Sequence, residues 1–209
     1  MKSPKRFPVT VECIQATPNP IEFVSKIASI CVGREDAQDP KALFQKLYDL
    51  GHHSVFERVY FTFHIRNISR VCSHQLVRHR HCSFTQRSQR YCNEGKANHI
   101  YPPHMSAEWF SLLADLALVD RGDYEMLISS GLPQEDARYI LRNSLATELY
   151  LSCNLRELMH IANERLCVKA QAEIRNLVQE IIQCVDEELH PYLVPKCKTG
   201  RIICKGCDK

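Results

Sequence analysis

Across residues 55–65 the chain alternates, with Val59, Phe61, Phe63 and Ile65 on one side and Arg58, Tyr60, Thr62 and His64 on the other. That period of two predicts a half-buried strand. A shorter strand is predicted over residues 9–16. Elsewhere the helical period takes over. Asn19 as cap and Pro20 at the first helical position open a helix with Ile21, Val24, Ile27, Ala28 and Cys31 on one face. Asp39 and Pro40 repeat this grammar, with Leu43, Phe44, Leu47 and Leu50 lining a second helix and Gly51 ending it in a left-handed conformation. Over residues 68–77, Ile68, Val71, Cys72 and Leu76 form a core stripe and His74, Gln75 and Arg78 a neighbouring face. Tyr101-Pro102-Pro103 breaks the structure. From Ser106 to Leu189 the pattern predicts almost continuous helix, interrupted at Gly131 and restarted at Pro133, with Glu135 and Asp136 at the positive end of the helix dipole. Ile174, Leu177, Val178, Ile181, Ile182, Val185 and Leu189 mark a final core helix. The expected fold class is therefore α+β, a single domain with an N-terminal sheet region and a mostly helical C-terminal half.

Composition narrows the function classes. At 209 residues the chain is long enough for a core of its own, spanning 1–209 as one domain with a cysteine-rich tail from about residue 191. The net charge is only +3, from 27 basic and 24 acidic residues, which argues against a general nucleic-acid coat. Met1-Lys2-Ser3-Pro4-Lys5-Arg6 leads straight into the first strand and reads as no signal peptide. The eleven cysteines are accordingly expected to be reduced thiols in a cytoplasmic protein. No apolar run approaches the roughly 20 residues that span a bilayer, so no membrane partner is expected.

Against this balanced background one segment stands out. Residues 78–91 hold four arginines and two histidines without an acid, and several guanidinium groups so close in sequence can converge on a phosphate or pyrophosphate through charge-assisted, bidentate hydrogen bonds. The stretch reads Arg78-His79-Arg80, then seven residues, then Ser88, with Gln75 ahead and Tyr91 behind. This string resembles the signature of the flavin-dependent thymidylate synthases. Two further blocks are similar to that family: Gly51-His52-His53-Ser54-Val55-Phe56-Glu57, and Asn154-Leu155-Arg156-Glu157-Leu158-Met159-His160 followed by Asn163-Glu164-Arg165 and Ala170-Gln171-Ala172-Glu173-Ile174-Arg175. If residues 154–165 are helical, Arg156 and His160 lie one turn apart and Arg165 follows toward the same cleft.

The resemblance implies reductive methylation of dUMP to dTMP, with carbon from 5,10-methylenetetrahydrofolate and electrons from NADPH relayed by FAD. It implies that Ser54, Arg78, His79, Arg80, Gln86, Asn154, Leu155, Arg156 and His160 meet the flavin, and places His52 close to flavin and folate. For dUMP it implies Gln75, Leu76, Val77, Arg78, Gln86, Arg87, Ser88, Gln89, Arg90, Arg138 and Arg165. Arg165 matches the arginine on the uracil ring, where negative charge gathers on activation, and is the expected catalytic residue. Ser88 is assigned to substrate binding, since no neighbouring base in the sequence would activate it. The family further implies a homotetramer with active sites shared between subunits. Two positions depart from its pattern: Arg58 stands where many members have His, and position 86 is Gln where some have Glu.

Cys197-x6-Cys204-x2-Cys207 falls outside the resemblance. With Cys167 or His190 as a fourth ligand it would form a zinc site, but the incomplete spacing leaves the expected metal content at none. A different class of function remains open on the residues alone: a nucleic-acid-binding module using the basic loop 78–90, with the tail as a zinc knuckle. The second block, 154–165, separates the two, because a simple binder has no reason to contain it.

Overall fold

A computed structural model of the chain describes residues 8–102 and 104–199. In chain order the elements are β1 (Thr10–Ala16), α1 (Pro20–Ser29), α2 (Pro40–Asp49), β2 (Tyr60–Ser69), α3 (Arg70–Leu76), β3 (Ser83–Gln86), α4 (Ala107–Ser129), α5 (Gln134–Ala137), β4 (Ala146–Asn154), α6 (Leu155–Arg165) and α7 (Ala172–Gln183). The four strands form one antiparallel sheet in the order β1-β2-β4-β3.

One face of that sheet carries Phe61, Phe63 and Ile65 from β2 and Leu149, Leu151 and Cys153 from β4, all nearly inaccessible to water. They join Ile21 and Val24 of α1, Phe44 of α2, Cys72 and Leu76 of α3, Leu158 and Ile161 of α6 and Leu177 and Ile181 of α7 in a single core. Burial of this apolar surface, worth roughly 25 cal/mol per Å² removed from water, holds the helices on the sheet. On the other face Thr62 and Ser152 approach to 3.0 Å and His64 stacks on Tyr150 with ring centroids 4.4 Å apart.

The alternation at Val59, Phe61, Phe63 and Ile65 is a strand as expected, but the strand begins later. Residues His53–Arg58 form a 3-10 helix that drives Phe56 into the core against Phe44, 4.9 Å away, so aromatic packing wins over the extended pattern there. β2 also continues to Ser69, passing a bulge at Asn67 with φ 59°. Asp39 caps α2 by accepting from the Ala42 amide, and Gly51 takes the left-handed conformation with φ 75°. Asn19 sits at the start of α1 yet is itself left-handed and makes no side-chain cap, and Cys31 lies past the end of that helix in the exposed turn. Leu50 is exposed rather than part of the α2 face.

The larger correction concerns the C-terminal half, which is not almost continuous helix: β4 lies in the middle of the sheet, paired with both β2 and β3. In Ala-Thr-Glu-Leu-Tyr-Leu-Ser-Cys-Asn the good helix formers Ala, Glu and Leu hide a period of two, Thr147, Leu149, Leu151 and Cys153, which strand pairing selects because propensity is weaker than tertiary context. The sheet thus draws on both halves of the chain. The basic stretch, expected as loop, contains β3, whose residues pair with Ser152 to Leu149. Pro103, Cys204 and Cys207 lie outside the described residues. No helix among the described residues is long and apolar enough to cross a membrane.

Candidate active site

α3 is short and would not hold its shape alone, so its anchoring decides where the site residues go. Ser69 caps it, accepting from the Cys72 amide at 3.0 Å. Glu173 of α7 grips the cap from behind: Oε1 accepts the Ser69 amide and Oε2 the Ser69 hydroxyl, each at 2.7 Å. Two more first-turn amides are satisfied by the approach to β4, Arg70 N donating to Leu145 O and Val71 N to Asn143 O. At the other end Gln75 Nε2 donates to Gln171 Oε1, and an Arg165 NH2 group donates to the Gln75 carbonyl at 3.3 Å. The block 170–175 therefore clamps both ends of α3, a purpose the sequence did not disclose. Glu173→Ala strands the Ser69 donors and is expected to lower the unfolding free energy by about 1–3 kcal/mol in urea denaturation. A change below about 0.5 kcal/mol, the size of an ordinary surface substitution, would show that the clamp is dispensable.

On one side of α3 opens a cleft of ≈ 400 Å³, in whose lining Arg70, His74, Gln86, Gln89 and Arg138 matter most. Every lining residue that carries full charge is basic: Arg70, Arg138 and Arg142. Arg142 is paired with Asp120, Oδ1 lying 3.1 Å from its NH2 group. Burial lowers the Arg70 guanidinium from its ordinary value, Glu94 acting the other way and Arg138 adding to the depression. A half-buried cation in this position is short of an anion. Arg70 was missed by the sequence reading. Its signal was available, because a cation in the first turn of a helix opposes the macrodipole and needs another reason to be there.

Gln86 reaches into this cleft from β3 and donates to Ser73 Oγ at 3.0 Å and Thr147 Oγ1 at 3.2 Å. Gln89 and Val77 line the same space, and Arg138 donates to the Glu135 carbonyl at 3.0 Å. Arg87 turns the other way to the buried Glu94, Nε to Oε1 at 3.2 Å, and burial raises the Glu94 carboxyl against the pull of Arg87. Arg90 pairs with Glu135 at 2.9 Å, and Ser88 Oγ accepts the Arg90 amide in a tight turn. Leu76 is fully buried in the core and does not line this cleft, so the expected dUMP contact at this position is not brought to it.

On the other side of α3 lies a second group. His79 and Glu157 are buried, with His79 Nδ1 3.3 Å from Glu157 Oε1, and Arg165 Nε donates to His79 Nε2 at 3.0 Å. His160 meets the His79 ring edge-on at 5.5 Å. Ligand atoms of His79, Glu157 and His160 fall within 4.8 Å of one another, a spacing that could hold a cation. The Arg165 guanidinium on His79 already brings positive charge there, so the group reads as a carboxylate, imidazole and guanidinium in series. Arg156, His160, Arg78 and Arg80 are exposed, as is Ser54 in the 3-10 helix that packs on α6. Arg156 is paired with Glu57 of that helix. Asn154 spends its side chain on the α6 cap, accepting from the Glu157 amide at 2.9 Å, and the buried Leu155 donates its amide to Val59 O. His52 and Arg58 are exposed. Of the proposed tail ligands, Cys167 is buried and His190 Nε2 lies 3.2 Å from the Val185 carbonyl oxygen.

Comparison with known proteins identifies the family. The family model described as thymidylate synthase complementing protein matches residues 12–191. A flavin-dependent thymidylate synthase of Geobacter sulfurreducens is 39% identical over 208 residues, covering 91% of this chain and 89% of that protein. Its counterpart in Thermococcus kodakarensis is 32% identical over 233 residues, covering 96% and 94%. Among solved structures, the UMP/dUMP methylase PolB from Streptomyces cacaoi bound with 5-Br dUMP shares the fold, with a TM-score of 0.73, 24% identity and coverage of 85% of this chain and 90% of that one. The nucleic-acid alternative gains no support from these matches. With a family model over most of its length and relatives above 30% identity along nearly all of it, the chain belongs to the flavin-dependent thymidylate synthases.

Proposed function

We propose that the chain methylates dUMP reductively to dTMP, with 5,10-methylenetetrahydrofolate as carbon donor and NADPH as the source of electrons through FAD. The observation that carries the substrate is the cleft beside α3, where Arg70, His74 and Arg138 converge with no acid in the lining. A phosphate of charge about −2 supplies a partner for the Arg70 and Arg138 guanidinium groups, with the His74 ring beside them. Gln86 and Gln89 offer amide donors and acceptors to the rest of the nucleotide. Arg165 lies outside the lining of this cleft, its guanidinium held at the C-terminal end of α3 by His79 and the Gln75 carbonyl. Arg165 is the group that would stabilise negative charge developing on the uracil.

The residues assigned to the flavin suit that group chemically. Arg78, Arg80 and Arg156 are three exposed guanidinium groups, His160 and Ser54 add further hydrogen-bonding partners, and a dinucleotide diphosphate needs such donors. Bound flavin supplies the hydride chemistry; this chain's own part is to bind, orient and polarise. These side chains lie open on the surface of one chain, which fits a site completed by another subunit. α4 supports self-association, since Trp109, Leu112, Leu116, Val119 and Met126 are exposed along one face of it. Homotetramer assembly with shared sites is thus part of the proposal.

The direct test is dTMP formation by the purified protein with dUMP, methylenetetrahydrofolate, FAD and NADPH, each omitted in turn. No dTMP from the complete mixture sinks the assignment. Arg78→Ala and Arg80→Ala are each expected to weaken flavin binding at least about tenfold, as loss of a charge-assisted contact worth roughly 1.5–3 kcal/mol. Equal flavin content in both variants and the parent at limiting FAD would remove these residues from the flavin site.

A further inference from the structure

The chain of contacts behind Arg165 has a direction that the residues themselves fix. Arginine carries only donors, so the Nε–H of Arg165, 3.0 Å from His79 Nε2, requires a lone pair on that nitrogen. The ring proton of neutral His79 must then sit on Nδ1, which faces Glu157 Oε1 at 3.3 Å. The approach is off the line of a full hydrogen bond, and Oε1 remains a buried oxygen without a hydrogen-bonded donor. His79 and Glu157 are 4% and 6% exposed, so water is in no position to substitute for either contact. Nε2 of His79 is thereby committed by a hydrogen bond, while Nδ1 is held beside a buried carboxylate oxygen that no other donor satisfies.

The consequence falls on the guanidinium. Of its five N–H groups, Nε–H goes to His79 and one NH2 hydrogen to the Gln75 carbonyl, leaving about three directed elsewhere. Which three are left is decided by the acceptor on His79 and therefore by Glu157. We infer that Glu157 and His79 are positioning residues, a carboxylate–imidazole arm that fixes the tautomer of His79 and thereby aims the Arg165 guanidinium at the substrate ring. The His79 side chain then serves Arg165 rather than the flavin. This rests on the reading of Arg165 as the uracil-polarising residue.

Glu157→Gln is the informative change, because a Gln amide can donate to Nδ1, moving the ring proton to Nε2 and turning it against the Arg165 N–H. The expected result is a fall in kcat for dTMP formation of about 10- to 100-fold, the cost of a slightly misplaced catalytic group. KM for dUMP should shift less than about threefold, since the phosphate contacts in the cleft are untouched. Flavin content and reduction of bound flavin by NADPH should stay at the parent level. In an Arg165→Lys background the same change should add less than about threefold, because two residues acting through one group do not add. His79→Gln, which keeps an acceptor near the Nε2 position, should retain more activity than His79→Leu. The tautomer is read without turnover by ¹⁵N-histidine NMR of the holoenzyme, with His79→Gln to identify the signal: Nδ1–H in the parent, Nε2–H in Glu157→Gln.

An Nε2–H tautomer in the parent overturns the arm, as do additive losses in the double variant or a flavin content that falls in step with the rate. If the parent protein forms no dTMP, the functional assignment fails, while the tautomer measurement still decides the arm.

Discussion

Arg165→Ala is expected to lower dTMP formation by on the order of 10² to 10³ fold, the usual result of removing one preorganised donor to a developing anion. The structure adds the reason its geometry is hard to replace. The guanidinium is bound on two sides, by His79 and the Gln75 carbonyl, so its remaining donors are held before substrate arrives. Preorganisation of this kind costs nothing at the moment of reaction, whereas a flexible cation must be ordered first. Lysine should therefore rescue poorly: its ammonium is a single point of charge and cannot donate at once to His79, to Gln75 and to two atoms of a planar ring. Flavin content should survive in both variants, and reduction of bound flavin by NADPH should change much less than methylation, because that half-reaction needs no activated uracil. Unchanged methylation removes Arg165 from the chemistry, and equal losses in both half-reactions point to a flavin contact instead.

For Arg70→Ala the expected loss is in nucleotide affinity, with the dUMP concentration for half-saturation rising on the order of 10² fold. A charge-assisted hydrogen bond to a half-buried guanidinium that lacks an acid in the cleft stands at the upper end of roughly 1.5–3 kcal/mol, and each 1.4 kcal/mol is about a factor of ten. Burial has already lowered the Arg70 guanidinium from its ordinary value, so a dianion entering the cleft returns interaction that folding removed. The fold itself should not suffer. Arg70 is the first residue of α3, where its charge opposes the helix dipole, and removing it should leave thermal stability unchanged or raise it by up to about 1 kcal/mol. Deoxyuridine, which lacks the phosphate, should bind the parent and the variant alike. Matching losses for nucleoside and nucleotide would place the phosphate elsewhere.

Much of this molecule is written locally. Asp39-Pro40 and Gly51 bound α2 through short-range chemistry, a side-chain cap, a ring that presets φ and a residue free to take positive φ. The alternation through Phe61, Phe63 and Ile65 and the 3.6-residue period through Ile174, Leu177, Val178 and Ile181 each mark a face that must be buried, and both are. The motif strings around Arg78 and Asn154 named the chemistry because their residue types and spacing are specific to it.

What the sequence could not show were interactions between segments far apart in the chain. β4 contains Ala, Glu and two leucines and reads as helix until β2 and β3 stand on either side, since strand pairing is non-local and local propensity cannot register it. Gln171 and Glu173 stood in the sequence only as part of a family-like block, and only tertiary structure makes them the clamp on α3. Arg70 acquires meaning from Arg138 across the cleft, and His79 from Glu157 and Arg165, 86 residues away in sequence for the latter contact. By itself the sequence determined which faces are buried, where helices begin and what family of chemistry the motifs serve, because those depend on neighbours within a few residues. The tertiary structure alone decided which cations share a cleft and which way Arg165 points, because electrostatic and hydrogen-bond geometry depends on distances in space that folding sets.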